Sequence, residues 1–193
     1  MNFKHNKELV IKKGMELFWT KGYHNLGVDQ ICRETRMTKG AFYNSFKSKE
    51  LFLLTTIKSY GVLITNHLQT CLSTGKQKAY NKLLTLYFEM LQSQTENNYK
   101  GCLVNNMMSE MAVSSALVSS LTENQFNEFV KTIEPTVKKA QQDNELTKSI
   151  NSILLTELIH TTFFGLLTRS KSTKTSDLVL MESFFDTLKT KSI

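Results

Sequence analysis

Residues Thr38–Phe52 read TKGAFYNSFKSKELF, and this stretch decides how the chain is interpreted. Thr38 is a hydroxyl N-cap for a helix that runs to about Phe46, and Ser48 caps the helix that follows. Side chains four positions apart share one face of a helix. Phe42 and Phe46 therefore point together into a core.

The opposite face of this helix carries Lys39, Gly40, Tyr43 and Asn44. A glycine in a helix costs about 1 kcal/mol relative to alanine, but it lets another surface approach closely. The major groove of DNA admits such a helix, while lysines, hydroxyls and helix N-termini bind phosphates. We predict that Lys39, Tyr43 and Lys49 contact phosphates, and Asn44 is a candidate to pair with adenine. An ordinary solvated face is the alternative for this helix taken alone.

The composition is typical of a helical protein. Of 193 residues only one is proline and eight are glycine, while Leu, Met, Lys, Glu and Gln, which lose little rotamer freedom in helices, are frequent. We therefore expect an all-α fold. Positive charge is concentrated in the first 60 residues, which hold eleven Lys and Arg against five Asp and Glu; the other 133 hold thirteen against twelve. This bias predicts an anionic partner at one end of the chain.

The sequence favours a cytoplasmic protein. Its longest apolar runs, such as FFGLL at residues 163–167, are far shorter than the roughly 20 residues that cross a bilayer, so no membrane association is expected. The N-terminus mixes charge into every turn and lacks the apolar region of a signal peptide. Three irregularly spaced cysteines fit reduced thiols better than a disulfide framework.

Three short helices precede a set of longer ones. Gly22 ends the first, Gly27 caps a second over Val28–Thr35, and Arg36 with Met37 forms a tight break before the third. Short helices separated by a few residues form a helix-turn-helix unit. Longer amphipathic helices are predicted at about residues 78–94, 102–112, 123–142, 148–169 and 176–189.

The run GYHNLGVDQICRETRMTKGAFYNSFKSKELF, residues 22–52, resembles the DNA-binding domain of TetR/AcrR-family transcriptional regulators. It has the aromatic residue after a glycine, the V-x-x-I second helix, the K-G-x-[FL]-Y-x-x-F recognition helix and the K-E-x-[LF] start of the fourth helix. The resemblance is specific over residues 8–55. Beyond them only the chain length and the order of the helices extend it.

The resemblance implies an all-α homodimer with an N-terminal helix-turn-helix DNA-binding domain at residues 1–48 and a larger effector-sensing and dimerisation domain at residues 49–193. Such a protein is usually a repressor that binds a palindromic operator on double-stranded DNA. It releases the operator when a small-molecule effector enters the larger domain. A TetR-like architectural protein without an effector is the alternative.

Leu26, Gly27 and Arg36 depart from the family's pattern. Leu26 and Gly27 replace the Thr and the Ser or Thr that often precede the second helix, so a hydroxyl cap is missing there. Arg36 stands where a turn glycine is common and must accept a conformation that costs glycine less; we predict that it contacts a phosphate. The predicted DNA-binding residues are Arg36, Thr38, Lys39, Gly40, Tyr43, Asn44 and Lys49.

Cys102 is the main candidate for a sensor residue. It falls in the first turn of a predicted helix beside Lys100, where the helix dipole and the ammonium favour a thiolate. The arrangement resembles a subgroup of TetR-like repressors whose G-C-[LF] cysteine responds to electrophiles or oxidants, including regulators of N-ethylmaleimide reductase. A small buried thiol is the alternative for Cys102, as it is for Cys32 and Cys71.

An apolar effector pocket would be lined by Tyr87, Met107, Met111 and His160. Plain core is the alternative for the methionine and aromatic stripe, and a satisfied core histidine is the alternative for His160. The histidines lack metal-ligand spacing, and we find no phosphate-binding glycine loop, nucleophile elbow or paired-histidine motif. No cofactor, metal site or enzymatic activity is therefore expected.

The last two predicted helices are apolar nearly all round. A helix of this kind is buried on more than one side. A two-fold dimer interface would bury the second side, and a place in the centre of the core is the alternative. The predicted interface residues are Leu158, Phe163, Leu166, Met181, Phe184 and Phe185.

Overall fold

A computed structural model describes residues 6–190, and this part of the chain confirms the all-α fold. The N-terminal helices are α1 (Lys7–Lys21), α2 (Val28–Thr35), α3 (Lys39–Phe46) and α4 (Lys49–Ser73). They are followed by α5 (Ala79–Glu96), α6 (Leu103–Met111), α7 (Ala116–Gln142), α8 (Ser152–Thr173) and α9 (Leu178–Leu188). None of the described helices is long and apolar enough to cross a membrane.

The turn between α2 and α3 forms as the sequence predicts. Gly27 precedes α2 with an extended backbone and without a side-chain cap. Arg36 ends α2 in the left-handed conformation, with φ 56° and ψ 29°, so an arginine occupies a position that favours glycine. The Thr38 hydroxyl oxygen accepts a 3.2 Å hydrogen bond from the N–H of Ala41 and caps α3.

Four buried rings from α1, α3 and α4 form what we call the phenylalanine cluster, made of Phe18, Phe42, Phe46 and Phe52. The Phe52 ring centroid lies 5.3 Å from that of Phe42 and 4.5 Å from that of Phe46. The Phe18 centroid is 5.8 Å from Phe52 on another side. Full burial of one such ring contributes about 1.5–3 kcal/mol. A Cβ at Gly14 of α1 would lie 2.3 Å from the Phe52 ring, so this close approach of α1 to α4 requires glycine.

By compactness the chain divides into two units. Unit 1 consists of residues up to Leu63 together with Cys102–Gln125, and unit 2 consists of Ile64–Gly101 together with the chain from Phe126 onward. Helices α4 and α7 each contribute residues to both units. The division into a DNA-binding domain at residues 1–48 and a sensing domain at residues 49–193 concerns function, and it stays a prediction.

The core of unit 2 forms where α5, α8 and α9 pack together. Tyr87 of α5 is fully buried, with its ring centroid 5.2 Å from Phe163 of α8 and 5.9 Å from Phe185 of α9. These helices are apolar on the sides that meet. Aromatic packing therefore fixes their register within the unit.

Lys49, at the start of α4, holds the loop between α1 and α2. Its ammonium donates hydrogen bonds to the backbone carbonyls of Tyr23 and Leu26, both at 3.0 Å, and lies 3.9 Å from the centroid of the Tyr23 ring. Burial lowers the pKa of Lys49, and the carboxylate of Glu110 opposes that shift. The ammonium thus has partners inside unit 1. The sequence analysis predicted a phosphate contact for Lys49 and did not predict these partners.

Two side chains from the α6–α7 region, Glu110 and Ser115, bind the loop before α2 and the start of α4; we call them the α6 anchors. Glu110 accepts hydrogen bonds of 2.9 Å from the backbone N–H groups of Tyr23 and His24. The hydroxyl of Ser115 donates a short hydrogen bond to the carboxylate of Glu50 on α4. Ser115 also caps the first turn of α7, so this helix begins earlier than its apolar pattern predicts.

We predict that Lys49→Ala lowers the free energy of unfolding by about 1–3 kcal/mol, because two loop carbonyls lose their hydrogen-bond donor. Lys58→Ala, at an exposed position of the same helix, is the matched control and should change it by less than about 0.5 kcal/mol. Urea denaturation followed by circular dichroism measures both. Equal stability of the two variants would show that Lys49 does not hold the loop.

Candidate functional site

The exposed face of α3 presents the residues that the sequence predicts to contact DNA. Lys39, Gly40, Tyr43 and Asn44 are all exposed. No atom of the described chain outside the helix lies within 4 Å of where a Cβ on Gly40 would stand, so internal packing does not require this glycine. The phenylalanine cluster occupies the other side of the helix. A partner would therefore meet a cation, a phenol, an amide and bare backbone on one rigid helix.

Lys39 is paired with Asp29 across the turn between α2 and α3. The ammonium lies 2.7 Å from the carboxylate, and the side chains are 63% and 72% exposed. The hydrogen bond to Asp29 raises the pKa of Lys39, so the lysine is charged throughout the physiological range. An ion pair this exposed contributes little to stability. The carboxylate instead competes with any phosphate for the same ammonium.

Arg36 and Thr38 lie at the turn that leads into this face. The left-handed backbone at Arg36 is the glycine-like conformation that the resemblance implied for this position, and its side chain is exposed. The Thr38 oxygen accepts from Ala41, which leaves the hydroxyl hydrogen able to donate to a partner. The Lys49 ammonium already donates two of its three N–H groups to loop carbonyls, so at most one remains for a phosphate.

Three of the predicted sensor residues, Cys102, Met107 and Met111, lie in unit 1. Cys102 is the N-cap of α6 rather than part of its first turn, and its thiol is buried and hydrogen-bonded with the phenol of Tyr60. Burial, followed by the neighbouring Cys102, raises the pKa of Tyr60 well above its usual value, so the phenol is protonated at physiological pH. Met107 and Met111 are buried side chains of the same helix.

The other two predicted sensor residues, Tyr87 and His160, lie in unit 2 and contact each other. The Tyr87 phenol is 3.3 Å from Nδ1 of His160, and both side chains are buried. Burial raises the pKa of Tyr87 and lowers the pKa of His160 to about 3. Both groups are therefore neutral at physiological pH.

The structure corrects part of the predicted dimer interface. Leu158 is 42% exposed and Phe184 is partly exposed, so both can contact a second chain. The remaining predicted interface residues have buried side chains in the core of unit 2, because α5 and α7 pack against the inner sides of α8 and α9: Phe163, Leu166, Met181 and Phe185. The exposed apolar residues of the two helices are others, namely Ile153, Leu154, Val179 and Leu180.

The sequence pattern did not single out several residues that form ion pairs or hydrogen bonds near the candidate site. Asp29 fits a favourable place in the first turn of α2, which gives no sign of its pairing with Lys39. Glu110 is a single acid on a short helix, and Ser115 lies in a stretch of polar and small residues. The partners of Glu110 and Ser115 are more than 60 residues away in the chain, and periodicity reports only local structure.

Known proteins resemble this chain in sequence. Residues 10–55 match the family model described as bacterial regulatory proteins, tetR family. The chain is 21% identical over 165 residues to the HTH-type transcriptional repressor DhaR of Mycobacterium sp. strain GP1, which covers 86% of this chain and 82% of that protein.

Solved structures share the fold over nearly the whole length. Regulatory protein TetR from Rhodobacter sphaeroides superposes with a TM-score of 0.83 at 24% identity, covering 94% of this chain and 95% of that one. The reduced form of NemR from E. coli gives 0.82 at 18% identity, covering 97% and 98%. The relatives are transcriptional regulators rather than enzymes, which agrees with the sequence prediction. Residues 10–55 thus carry a domain of the tetR family, the chain shares the fold of TetR regulators, and both findings support a DNA-binding transcriptional regulator.

Proposed function

We propose that this protein is a homodimeric repressor that binds a palindromic operator through α3 and releases it when a small molecule acts on the rest of the chain. The observation that supports it most is the two-sided α3, with the phenylalanine cluster on one side and Lys39, Gly40, Tyr43 and Asn44 exposed on the other.

The chemistry of this face suits the major groove. Lys39 and the Tyr43 hydroxyl reach phosphates on either side of the helix, and Arg36 adds a cation at the turn. The Asn44 amide is placed to form paired hydrogen bonds with adenine. Gly40 lets the helix backbone approach DNA without a side chain in between, because the space above it is open.

Because Lys39 is paired with Asp29, substitutions of the two residues should affect operator binding differently. Lys39→Ala should weaken operator binding about tenfold, since one charged phosphate contact is lost. Asp29→Asn should leave binding equal or tighter, since it frees the ammonium and removes a negative charge near DNA. Fluorescence anisotropy at several salt concentrations measures both, and Lys39→Ala should reduce the slope of log affinity against log salt by about 1.

Lys131→Ala, at an exposed ion pair on α7, is the control for a lost surface cation and should bind the operator like the wild type. The DNA is the palindrome enriched from a random pool by the wild-type protein. If Lys39→Ala binds this palindrome as well as Lys131→Ala does, Lys39 has no role in DNA contact.

Homodimerisation is supported by an apolar surface on α8 and α9. Its residues are 42–73% exposed, and we call them the α8–α9 face: Ile153, Leu154, Leu158, Val179 and Leu180. Large apolar side chains left exposed on two neighbouring helices are characteristic of a protein interface. A two-fold contact through this face would present two copies of α3, as a palindrome requires.

Leu158→Glu should convert the dimer to a monomer, because a second copy would bring two carboxylates into an apolar interface. Val113→Glu, which adds the same charge at a fully exposed position outside this face, should leave the dimer intact. Sedimentation velocity distinguishes the two states. A Leu158→Glu protein that sediments as a dimer would place the interface elsewhere.

The α6 anchors supply a route by which an effector can change DNA binding. Glu110 binds the loop before α2, and Ser115 binds the start of α4, directly after the recognition helix. A displacement of α6 together with the turn that joins it to α7 would therefore move both segments that flank the helix-turn-helix. Coupling of this kind needs only that the effector binds the two positions of α6 with different affinity.

Cys102 is the place where a thiol-reactive effector would act on this route. Its thiol adds across the double bond of N-ethylmaleimide, forming an S–C bond while the thiol proton ends on the adjacent carbon. The bulky adduct cannot remain in the buried contact with Tyr60 at the start of α6. Accommodating the adduct therefore destabilises the position of α6.

We predict that N-ethylmaleimide releases the wild-type protein from its operator and that Cys102→Ser resists release while binding DNA normally. Cys71→Ser is the matched control, because Cys71 is more exposed than Cys102 and lies on α4 rather than at the start of α6. Anisotropy before and after treatment gives the released fraction. Release that persists in Cys102→Ser would assign the effect to another residue.

A further inference from the structure

His160 lies inside a shell of aromatic rings in unit 2. Its ring centroid is 4.7 Å from that of Phe164, and four other rings lie between 5.4 and 6.1 Å away: Tyr87, Phe126, Phe129 and Phe163. The shell combines residues of α5, α7 and α8. Nearly the whole surface of the imidazole is thus covered by apolar carbon.

The hydrogen bonds of this histidine are incomplete. Nδ1 pairs with the Tyr87 phenol, whereas the buried Nε2 has no hydrogen-bond partner among the described residues. If Nδ1 carried the proton, both the phenol hydrogen and the Nε2 lone pair would lack partners. With the phenol donating to Nδ1, only the N–H at Nε2 is left over. The second arrangement strands fewer groups, so Nε2 is a buried donor without an acceptor.

A purely structural role does not account for this nitrogen. Buried polar groups nearly always have a partner, and a phenylalanine would fill the same aromatic shell without leaving a donor unpaired. The shell of rings around this donor has one position that is less protected than the others. Phe126 is the only ring of the five that is not buried in the described chain, so a molecule can approach His160 by displacing it.

The shell also restricts the charge of a bound molecule. Burial lowers the pKa of His160 to about 3, so the imidazole is neutral at physiological pH. The five rings around it are neutral as well. A carboxylate or an ammonium placed there would lose its hydration without gaining a counter-charge.

We propose that the Tyr87–His160 pair is a binding site for a neutral aromatic molecule with a hydrogen-bond acceptor, such as an aryl ketone, whose oxygen accepts from Nε2 of His160. The aromatic part of the molecule stacks among the phenylalanine rings in the place of Phe126. The inference rests on the proposed function in that this molecule is the effector. It differs from the Cys102 route because it is reversible and requires no thiol.

Three probes of nearly equal size test the inference by isothermal titration calorimetry. Acetophenone is neutral and has an acceptor, ethylbenzene is neutral and lacks one, and benzoate is an anion. The wild-type protein should bind acetophenone at least about tenfold more tightly than ethylbenzene and should not bind benzoate measurably. His160→Phe keeps the aromatic shape but removes Nε2, and it should bind acetophenone no better than ethylbenzene.

The double variant Tyr87→Phe/His160→Phe guards against a folding defect, because it also removes the phenol that His160→Phe would leave unpaired. It should melt at or above the wild-type temperature and lack the preference for acetophenone. Equal binding of acetophenone and ethylbenzene by the wild type, no binding of any probe, or a preference that survives in His160→Phe would each overturn the inference. Operator binding is measured on the same samples. Acetophenone should release the wild-type protein from the operator; operator binding that persists with acetophenone bound would count against the proposed effector release and leave the calorimetric result intact.

Discussion

Burial of the phenylalanine cluster is the interaction on which the candidate DNA-binding surface depends. Phe42 and Phe46 give α3 one apolar side, which packs on Phe52 of α4, and Phe52 in turn packs on Phe18 of α1. Because that side is fixed, the polar residues of an eight-residue helix must point outward together. The cluster needs the close approach of α1 at Gly14, so one missing side chain allows the whole arrangement.

Cations in the same region have two different tasks. Lys39 is exposed and shared with Asp29, so a phosphate can take it over at little cost. Lys49, ten residues later, is bound to loop carbonyls and stacked on Tyr23, which gives it a structural task. Glu110 binds the same loop from α6. The loop that Lys49 stabilises is thus also the segment through which a change in α6 would reach the recognition helix.

Local patterns predicted the helix-turn-helix closely. The hydroxyl cap at Thr38 and the inward Phe42 and Phe46 follow from spacing and from the backbone preferences of neighbouring residues, whereas the left-handed turn at Arg36 was expected from the glycine that the resembled family often has there. Long-range contacts could not be predicted this way. An apolar helix does not reveal which side meets its own core, so Phe163 and Phe185 were assigned to the interface although they are internal. The partners of Lys49 and Glu110 depend on how distant helices pack, which no local period encodes.

The central claim is that the exposed face of α3 enters the major groove twice per palindrome. Affinity cleavage tests it directly, with iron-EDTA attached at Asn44→Cys in a variant whose native cysteines are replaced by serine. The account predicts two clusters of major-groove cleavage, related by the two-fold axis of the operator and separated by whole helical turns of about 10 base pairs. Cleavage spread evenly along the DNA, or equal cleavage from the same reagent at Val113→Cys, would contradict it.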